Sequence, residues 1–237
     1  MALILNIDTA TEFASIALCN DGNILATARN EDVRDHASWL QQAIQQLSHE
    51  CQVPLDRLEA VAVTAGPGSY TGLRVGLASA KGLCFALGIP LITENTLKVM
   101  TKALIDDAKV PRDLVPGSMD KPQDELLLVP MIDARRLEVF TAVYDWKLAE
   151  RMPPLALVLN AESYSGFNKA ARFICFGSGS AKFQSIAAPG KFTFVDSRHD
   201  ATALASLSYE KFINRQFSDL AYTEPIYLKD FYSPPKK

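Results

Sequence analysis

The stretch AVAVTAGPGSYTGLRVGLASAKGLCFALG, residues 60–88, reads as a strand, a glycine-rich turn and a helix in direct succession. Ala60–Ala65 is an apolar run of strand length. Gly66-Pro67-Gly68-Ser69 breaks it. From Tyr70 to Leu87 the apolar residues recur at helical spacing, and Gly88 supplies the stop. Upstream, Ala2–Asp8 is nearly all apolar, as expected of a strand buried on both faces. Phe13–Cys19 and Ile24–Asn30, joined through Asn20-Asp21-Gly22-Asn23, complete an antiparallel meander. Asp35 is placed to cap a helix carrying Trp39, Leu40, Ala43, Ile44, Leu47 and Cys51 on one face, ended by Pro54. With Pro90–Thr93 the order becomes β-β-β-α-β-α-β, a mixed sheet with helices on its faces.

The pattern then partly repeats. Thr96–Ala108 reads as a helix. Val110–Gln123, with Pro111, Pro116, Gly117 and Pro122, reads as a loop excursion. Leu126–Asp133 and Glu138–Asp145 pair as strands, Leu155–Leu159 is a weaker strand, and Arg172–Phe176 runs into Gly177-Ser178-Gly179 and a helix. Asp200–Phe217 is a final amphipathic helix, followed by a tail rich in Tyr, Pro and Lys. Two similar halves predict a duplicated α/β architecture with a boundary near residues 95–125. The expected lobes are 1–100 and 101–237, with the helix at about 200–217 free to return to the first lobe.

Composition narrows the function. The 237 residues carry 24 Lys+Arg against 27 Asp+Glu, a net charge of −3, which excludes a strongly basic nucleic-acid binder acting alone. Hydrophobic residues at 48% exclude global disorder. Four scattered cysteines form no C-x-x-C pair, and three histidines lack metal-ligand spacing, so no metal site is expected. The N-terminus has no basic leader, and no apolar run approaches the ~20 residues of a membrane span. A reduced, cytoplasmic protein is the expectation.

Three places carry candidate chemistry. Asp8-Thr9-Ala10-Thr11 ends the first strand, where a carboxylate and hydroxyls can hold a Mg-bound phosphate. Such loops use Gly so that the backbone approaches the phosphate, and here Thr and Ala stand instead. An ordinary strand-end turn accounts for them equally well. Gly66, Gly68 and Ser69 precede a helix N-terminus, which favours anions. They match neither a Walker A loop, G-x-G-x-x-G nor G-x-S-x-G, and Pro67 removes an amide. Asp133-Ala134-Arg135-Arg136 mirrors Asp8 in the second half, again without the Gly. Its blander reading is a strand-end Asp paired with a local Arg. Gly177-Ser178-Gly179 either approaches a nucleoside or simply turns the chain. His36 reads as a helix-start surface residue rather than a base.

The helix after Gly66 says more. At ~100° per residue, Gly72, Gly76, Ser79 and Leu83 share one arc, while Leu73, Leu77 and Cys84 share another. Interior glycines cost ~1 kcal/mol each relative to Ala, so a helix keeps them where another backbone comes close. The small-residue arc is therefore expected to meet a second helix, either within the chain or in a partner. The preceding helix presents Gln41, Gln42, Gln45, Gln46 and Ser48, a face that desolvates at less cost than a charged one.

Taken together, Ile7–Thr11, Ala65–Gly76 (AGPGSYTGLRVG), Lys81-Gly82-Leu83, Asp133-Ala134-Arg135 and the tail Pro225–Lys229 resemble the TsaB (YeaZ) family. The resemblance is close over the first hundred residues and loose beyond. It implies an actin/hexokinase/Hsp70-like (ASKHA) fold of two RNase-H-like lobes with mixed sheets. It also implies a non-catalytic subunit for threonylcarbamoyl transfer to N6 of the adenosine beside the tRNA anticodon. The implied partners are TsaD, which carries the metal, nucleotide and transfer chemistry, TsaE, tRNA through the complex, and a second copy in isolation. On this reading Asp8, Thr9, Thr11, Gly66, Gly68 and Ser69 are vestigial phosphate-loop positions, and Trp39, Leu40, Ala43, Gly72, Val75, Gly76, Ser79 and Leu83 form the interface. The chain itself holds no cofactor tightly, with ATP or ADP left open at the interface of the complex. The alternatives are an ATPase or an M22-type glycoprotease of the same fold. Leu137 and Lys229, where many relatives have Gly and Arg, depart from the pattern.

Overall fold

The computed structural model describes residues 2–30, 36–107, 125–168 and 171–229, the side chain of His36 excepted. The first lobe starts as a meander of β1 (Leu3–Asp8), β2 (Ala14–Asn20) and β3 (Asn23–Asn30). It continues through α1 (His36–Glu50), β4 (Ala60–Thr64), α2 (Tyr70–Leu87) and β5 (Leu91–Glu94). After α3 (Thr96–Asp106) come β6 (Leu126–Asp133), β7 (Glu138–Asp145), β8 (Glu150–Val158), β9 (Arg172–Phe176), α4 (Ser180–Gln184), β10 (Phe192–Val195) and α5 (Ala201–Ile213).

The strand order is β3-β2-β1-β4-β5 in one sheet and β8-β7-β6-β9-β10 in the other, so both follow one scheme. In each, the lead strand runs antiparallel to the next strand in sequence and parallel to the strand on its other side. This is the doubled RNase-H-like arrangement of the actin/hexokinase class expected above.

Every residue of β1 is buried, because helices cover both faces of its sheet. Leu3, Leu5 and Ile7 meet Leu40, Ile44 and Leu47 of α1 and Leu77 of α2. Ala2 and Ile4 point the other way, towards Val99 of α3 and Leu204 and Leu207 of α5. In the second lobe Leu128 and Ile132 meet Leu97, Met100 and Leu104 of α3, while Leu127, Val129 and Met131 join Tyr164, Phe173 and Phe183. Helix α3 therefore serves both lobes, with Val99 and Ala103 turned to one and Leu97, Met100 and Leu104 to the other. Helix α5 lies on the first sheet. It reaches that sheet through residues 196–200, which leave β10.

The structure departs from the sequence expectation in three places. Strand β8 starts at Glu150 rather than Leu155, taking in Pro153 and Pro154. It is an edge strand, where a missing N–H can face solvent. Strand β10, unanticipated, is four half-buried residues at the opposite edge, too short to show a period. Helix α5 stops at Ile213 instead of Phe217, and Arg215, at φ 53°, turns the chain out. Helix α4 has only five residues. The Asp35 cap and the 110–123 excursion lie outside the described residues.

The two tryptophans report on different lobes. Trp39 packs against the first core and Trp146 against the second. Because α3 is common to both, Trp39→Phe and Trp146→Phe, each leaving one fluorophore, are expected to show coincident urea midpoints. Separated midpoints would contradict a shared helix that couples the lobes.

Candidate functional site

The turn after β1 lies against the start of α2. Thr9 Oγ1 donates to the Gly72 carbonyl at 2.7 Å, and the Ser69 N–H donates to the Ala10 carbonyl at 2.7 Å. Glycine is what permits this approach. A Cβ at Gly68 would sit 2.1 Å from the Ala10 oxygen, one at Gly72 2.0 Å from the Thr9 oxygen, and one at Gly76 2.3 Å from Thr9 Oγ1. Ser69 caps α2 by accepting from the Gly72 N–H at 3.3 Å. Gly66, at φ 114°, is crossed by the tail, with its would-be Cβ 2.7 Å from the Ile226 oxygen.

Asp8 is 1% exposed. Its Oδ1 accepts from Thr64 Oγ1 at 2.8 Å and from the Ala10 N–H at 3.1 Å. Its Oδ2 faces His199 Nε2 at 3.2 Å. Burial pushes the carboxyl upward, but the His199 ring, the Ala10 amide and the Thr64 hydroxyl together hold it below its ordinary value. His199 stands just ahead of α5, and its neighbours pin the same crossover. Asp200 pairs with Arg29, Arg198 lies over the Phe13 ring at 5.0 Å, and the Ala201 N–H donates to Ser15 Oγ at 2.9 Å. Nothing in the local sequence marks His199 as the partner of Asp8.

Of the six positions expected to be vestigial phosphate-loop residues, Asp8, Thr9, Gly66, Gly68 and Ser69 converge on this junction, with Thr11 half-buried beside it. A Mg-bound phosphate does not fit there as the groups stand. The amide of the capping Ser69 is taken by Ala10 and that of Gly72 by Ser69, the glycine clearances are filled by Thr9 and Ala10, and His199 covers the carboxylate.

The second lobe repeats the theme. Asp133 pairs with Lys182 at 2.5 Å and accepts from the Arg135 N–H at 2.6 Å, so its cation is a lysine from α4 rather than the local arginine expected. Burial raises its carboxyl, and the Lys182 ammonium and Arg135 amide bring it below the usual value. Gly177-Ser178-Gly179 folds back on the end of β6. A Cβ at Gly177 would lie 2.5 Å from the Met131 oxygen, and the Gly179 N–H donates to that oxygen at 3.0 Å. These glycines fit closely against their own strand, as the reading of a simple turn expects.

The expected interface residues divide. Leu40 and Ala43 belong to the chain's own core, and Gly72 and Gly76 face Thr9, so these four are corrected to internal contacts. Trp39, Val75 and Leu83 are half-buried against that core, and Ser79 Oγ takes the Gln41 side chain at 2.9 Å. The small-residue face open to solvent lies farther round α2 and comprises Thr71, Ala78, Gly82 and Phe85. Nothing stands within 4 Å of a Cβ at Gly82, and Phe85 is 83% exposed. One bank of this face is α1, whose Gln41, Gln42, Gln45 and Gln46 are exposed. The other bank is the tail, held where Lys81 donates to the Ala221 and Thr223 carbonyls, each at 3.1 Å.

Among the described residues, no three His, Cys, Asp or Glu side chains are grouped to hold a metal, and no helix is long and apolar enough to cross a membrane.

Residues 23–223 match the family model TsaD: tRNA N6-adenosine threonylcarbamoyltransferase. The chain is 37% identical over 142 residues to the tRNA threonylcarbamoyladenosine biosynthesis protein TsaB of Escherichia coli, covering 60% of this chain and 54% of that protein. It is 29% identical over 161 residues to the Bacillus subtilis protein of the same description, covering 67% and 63%. The matched region thus spans less than two thirds of either relative. The solved structure of YeaZ from Pseudomonas aeruginosa superposes with a TM-score of 0.76 at 25% identity, over 96% of this chain and 100% of that one.

Two outcomes follow from the junction. Gly72→Ala, driven against a backbone oxygen, is expected to destabilise by about 2–4 kcal/mol in urea unfolding, whereas Gly82→Ala is expected to gain up to about 1 kcal/mol. His199→Ala leaves Asp8 buried and unpaired, at a cost of about 3 kcal/mol. With a lowered folded pKa, Asp8 contributes stability above its unfolded value of 3.8 and loses it as pH falls through the folded value. In His199→Ala burial acts unopposed by the ring, which raises the folded-state pKa, so the share of the acid loss that Asp8 contributes should shrink or reverse. An identical acid limb in both proteins would refute the pairing.

Proposed function

We propose a docking and scaffolding role, with no bond-making chemistry of its own, for this chain, which belongs to the TsaB (YeaZ) branch of the TsaD family. The observation that carries the reading is the pairing of two features. The space ahead of α2 is filled by the chain's own turn after β1, and α2 offers an open strip of Ala78, Gly82 and Phe85 between two banks.

Small side chains let a second helix approach closely, and ridges from that helix fit the hollow at Gly82. The glutamines of α1 lose water at lower cost than charged residues would. Phe85 has the character of an anchor: large, rigid and exposed before docking. The occupant proposed is TsaD, in a heterodimer that TsaE joins, and in its absence a second copy of this chain. Metal, nucleotide and transfer to N6 of the anticodon-adjacent adenosine belong to TsaD on this reading, and tRNA is engaged through the complex in the cytoplasm. Any ATP or ADP at the interface is held chiefly by the partner. The family names of the relatives support a part in threonylcarbamoyladenosine synthesis. The sealed Asp8 favours the scaffold over an ATPase of the same fold.

Gly82→Arg places a long cation on the open strip without touching the core. Light scattering after size exclusion should show the unaltered chain joining purified TsaD, and the variant, with unchanged far-UV dichroism, failing to do so. Phe85→Ala should weaken the complex by about 1–3 kcal/mol in titration calorimetry, as for a buried aromatic anchor. Full complex formation by folded Gly82→Arg would sink the assignment.

A further inference from the structure

After α5 the chain does not wander off. Ser218 forms an antiparallel bridge with Leu91, its N–H donating to the Leu91 carbonyl at 2.8 Å and its Oγ accepting from the Thr93 N–H at 3.1 Å. Leu220 packs against the first-lobe core. The two carbonyls bound by Lys81 then carry the segment along α2, and the Ile226 N–H donates to the Ala65 carbonyl at 2.7 Å. Tyr227 packs on Tyr70 with ring centroids 5.2 Å apart, and its hydroxyl accepts from Arg74 Nε at 3.1 Å. Two residues later the segment has changed lobes: Lys229 pairs with Glu138 and donates to the Ala134 carbonyl at 3.3 Å.

We propose that residues 218–229 are a clasp, fastened to the first lobe and latched onto the β6–β7 turn of the second through Lys229. Its anchors are mostly polar and separate, with little apolar burial; Tyr222 is 84% exposed. Segments held this way open locally at far lower free energy than a core element. The latch is the loosest anchor, since the Lys229 side chain is 39% exposed and its ion pair is screened by salt. Arg74 and Lys81, which hold the clasp, also flank the open strip of α2, so a helix seated there bears on the clasp and through it on the second lobe. That last coupling rests on the docking reading; the clasp itself does not.

Hydrogen exchange on the full chain without any partner tests it. Lys229→Ala should speed exchange in the turn 133–138 by about threefold, and Ile226→Pro with Lys229→Ala should speed residues 221–229 by about tenfold or more. Ile226→Pro removes the backbone N–H that Ala65 accepts, at a residue that is 42% exposed. Molar salt acting on the unaltered chain should reproduce the Lys229→Ala pattern. If the double variant loses its helical dichroism, the single variant and the salt series decide. Unchanged exchange at 133–138 in Lys229→Ala and at high salt would overturn the clasp, and no failure of TsaD docking could produce or hide that result.

Discussion

The structure depends on one close approach, that of the Thr9–Ala10 backbone to the first turns of α2. Thr9 and Ala10 end the central strand of the first sheet, and α2 covers one face of that sheet. Side chains at 68, 72 or 76 would hold the two apart, since each would enter space occupied by an oxygen of Thr9 or Ala10. The glycines lower the intrinsic stability of the helix and recover it through the hydrogen bonds they allow, Thr9 to Gly72 and Ser69 to Ala10. The same approach occupies the place where a phosphate would meet the amides. One set of contacts thus explains both the sequence of the motif and the seating of α2.

The second lobe reaches the same end by different residues. Gly177 and Gly179 press against Met131 and Ile132 as Gly68 and Gly72 press against Ala10 and Thr9. The strand-end carboxylate again faces a basic side chain, Lys182 in place of His199. The two differ in burial. Asp8 is sealed, whereas the Asp133 side chain is 44% exposed. The inner carboxylate therefore bears on stability across acid pH, and the outer one contributes little, as exposed pairs do.

How much of this was legible in the sequence depended on distance along the chain. Tyr70–Leu87, Leu126–Asp133 and Glu138–Asp145 coincide with their elements, because periodicity and flanking turn residues are local signals. Strand β10 escaped notice through its shortness. Strand β8 runs back through Pro153 and Pro154 because an edge position tolerates what a central strand does not. The helical wheel of α2 grouped Gly72 with Gly76 correctly but could not say what would approach them. Their neighbour, Thr9, lies 63 residues earlier, and a helix or a turn leaves the same mark in sequence. The open strip at Ala78, Gly82 and Phe85 was thereby displaced onto the adjacent arc. His199 carried no signal, since its role exists only after the chain has returned from the second lobe.

That return has a temporal side. Helix α5 covers the face of the first sheet that Ile4 offers, and His199 completes Asp8, yet both leave the ribosome after nearly all of the second lobe. The amino-terminal meander must therefore wait, with an apolar face covered only in part by α3 and with Asp8 lacking His199, until translation has passed residue 213. A nascent chain stalled before that point would be a ready client for chaperones, and its earliest strands would be the last to become native.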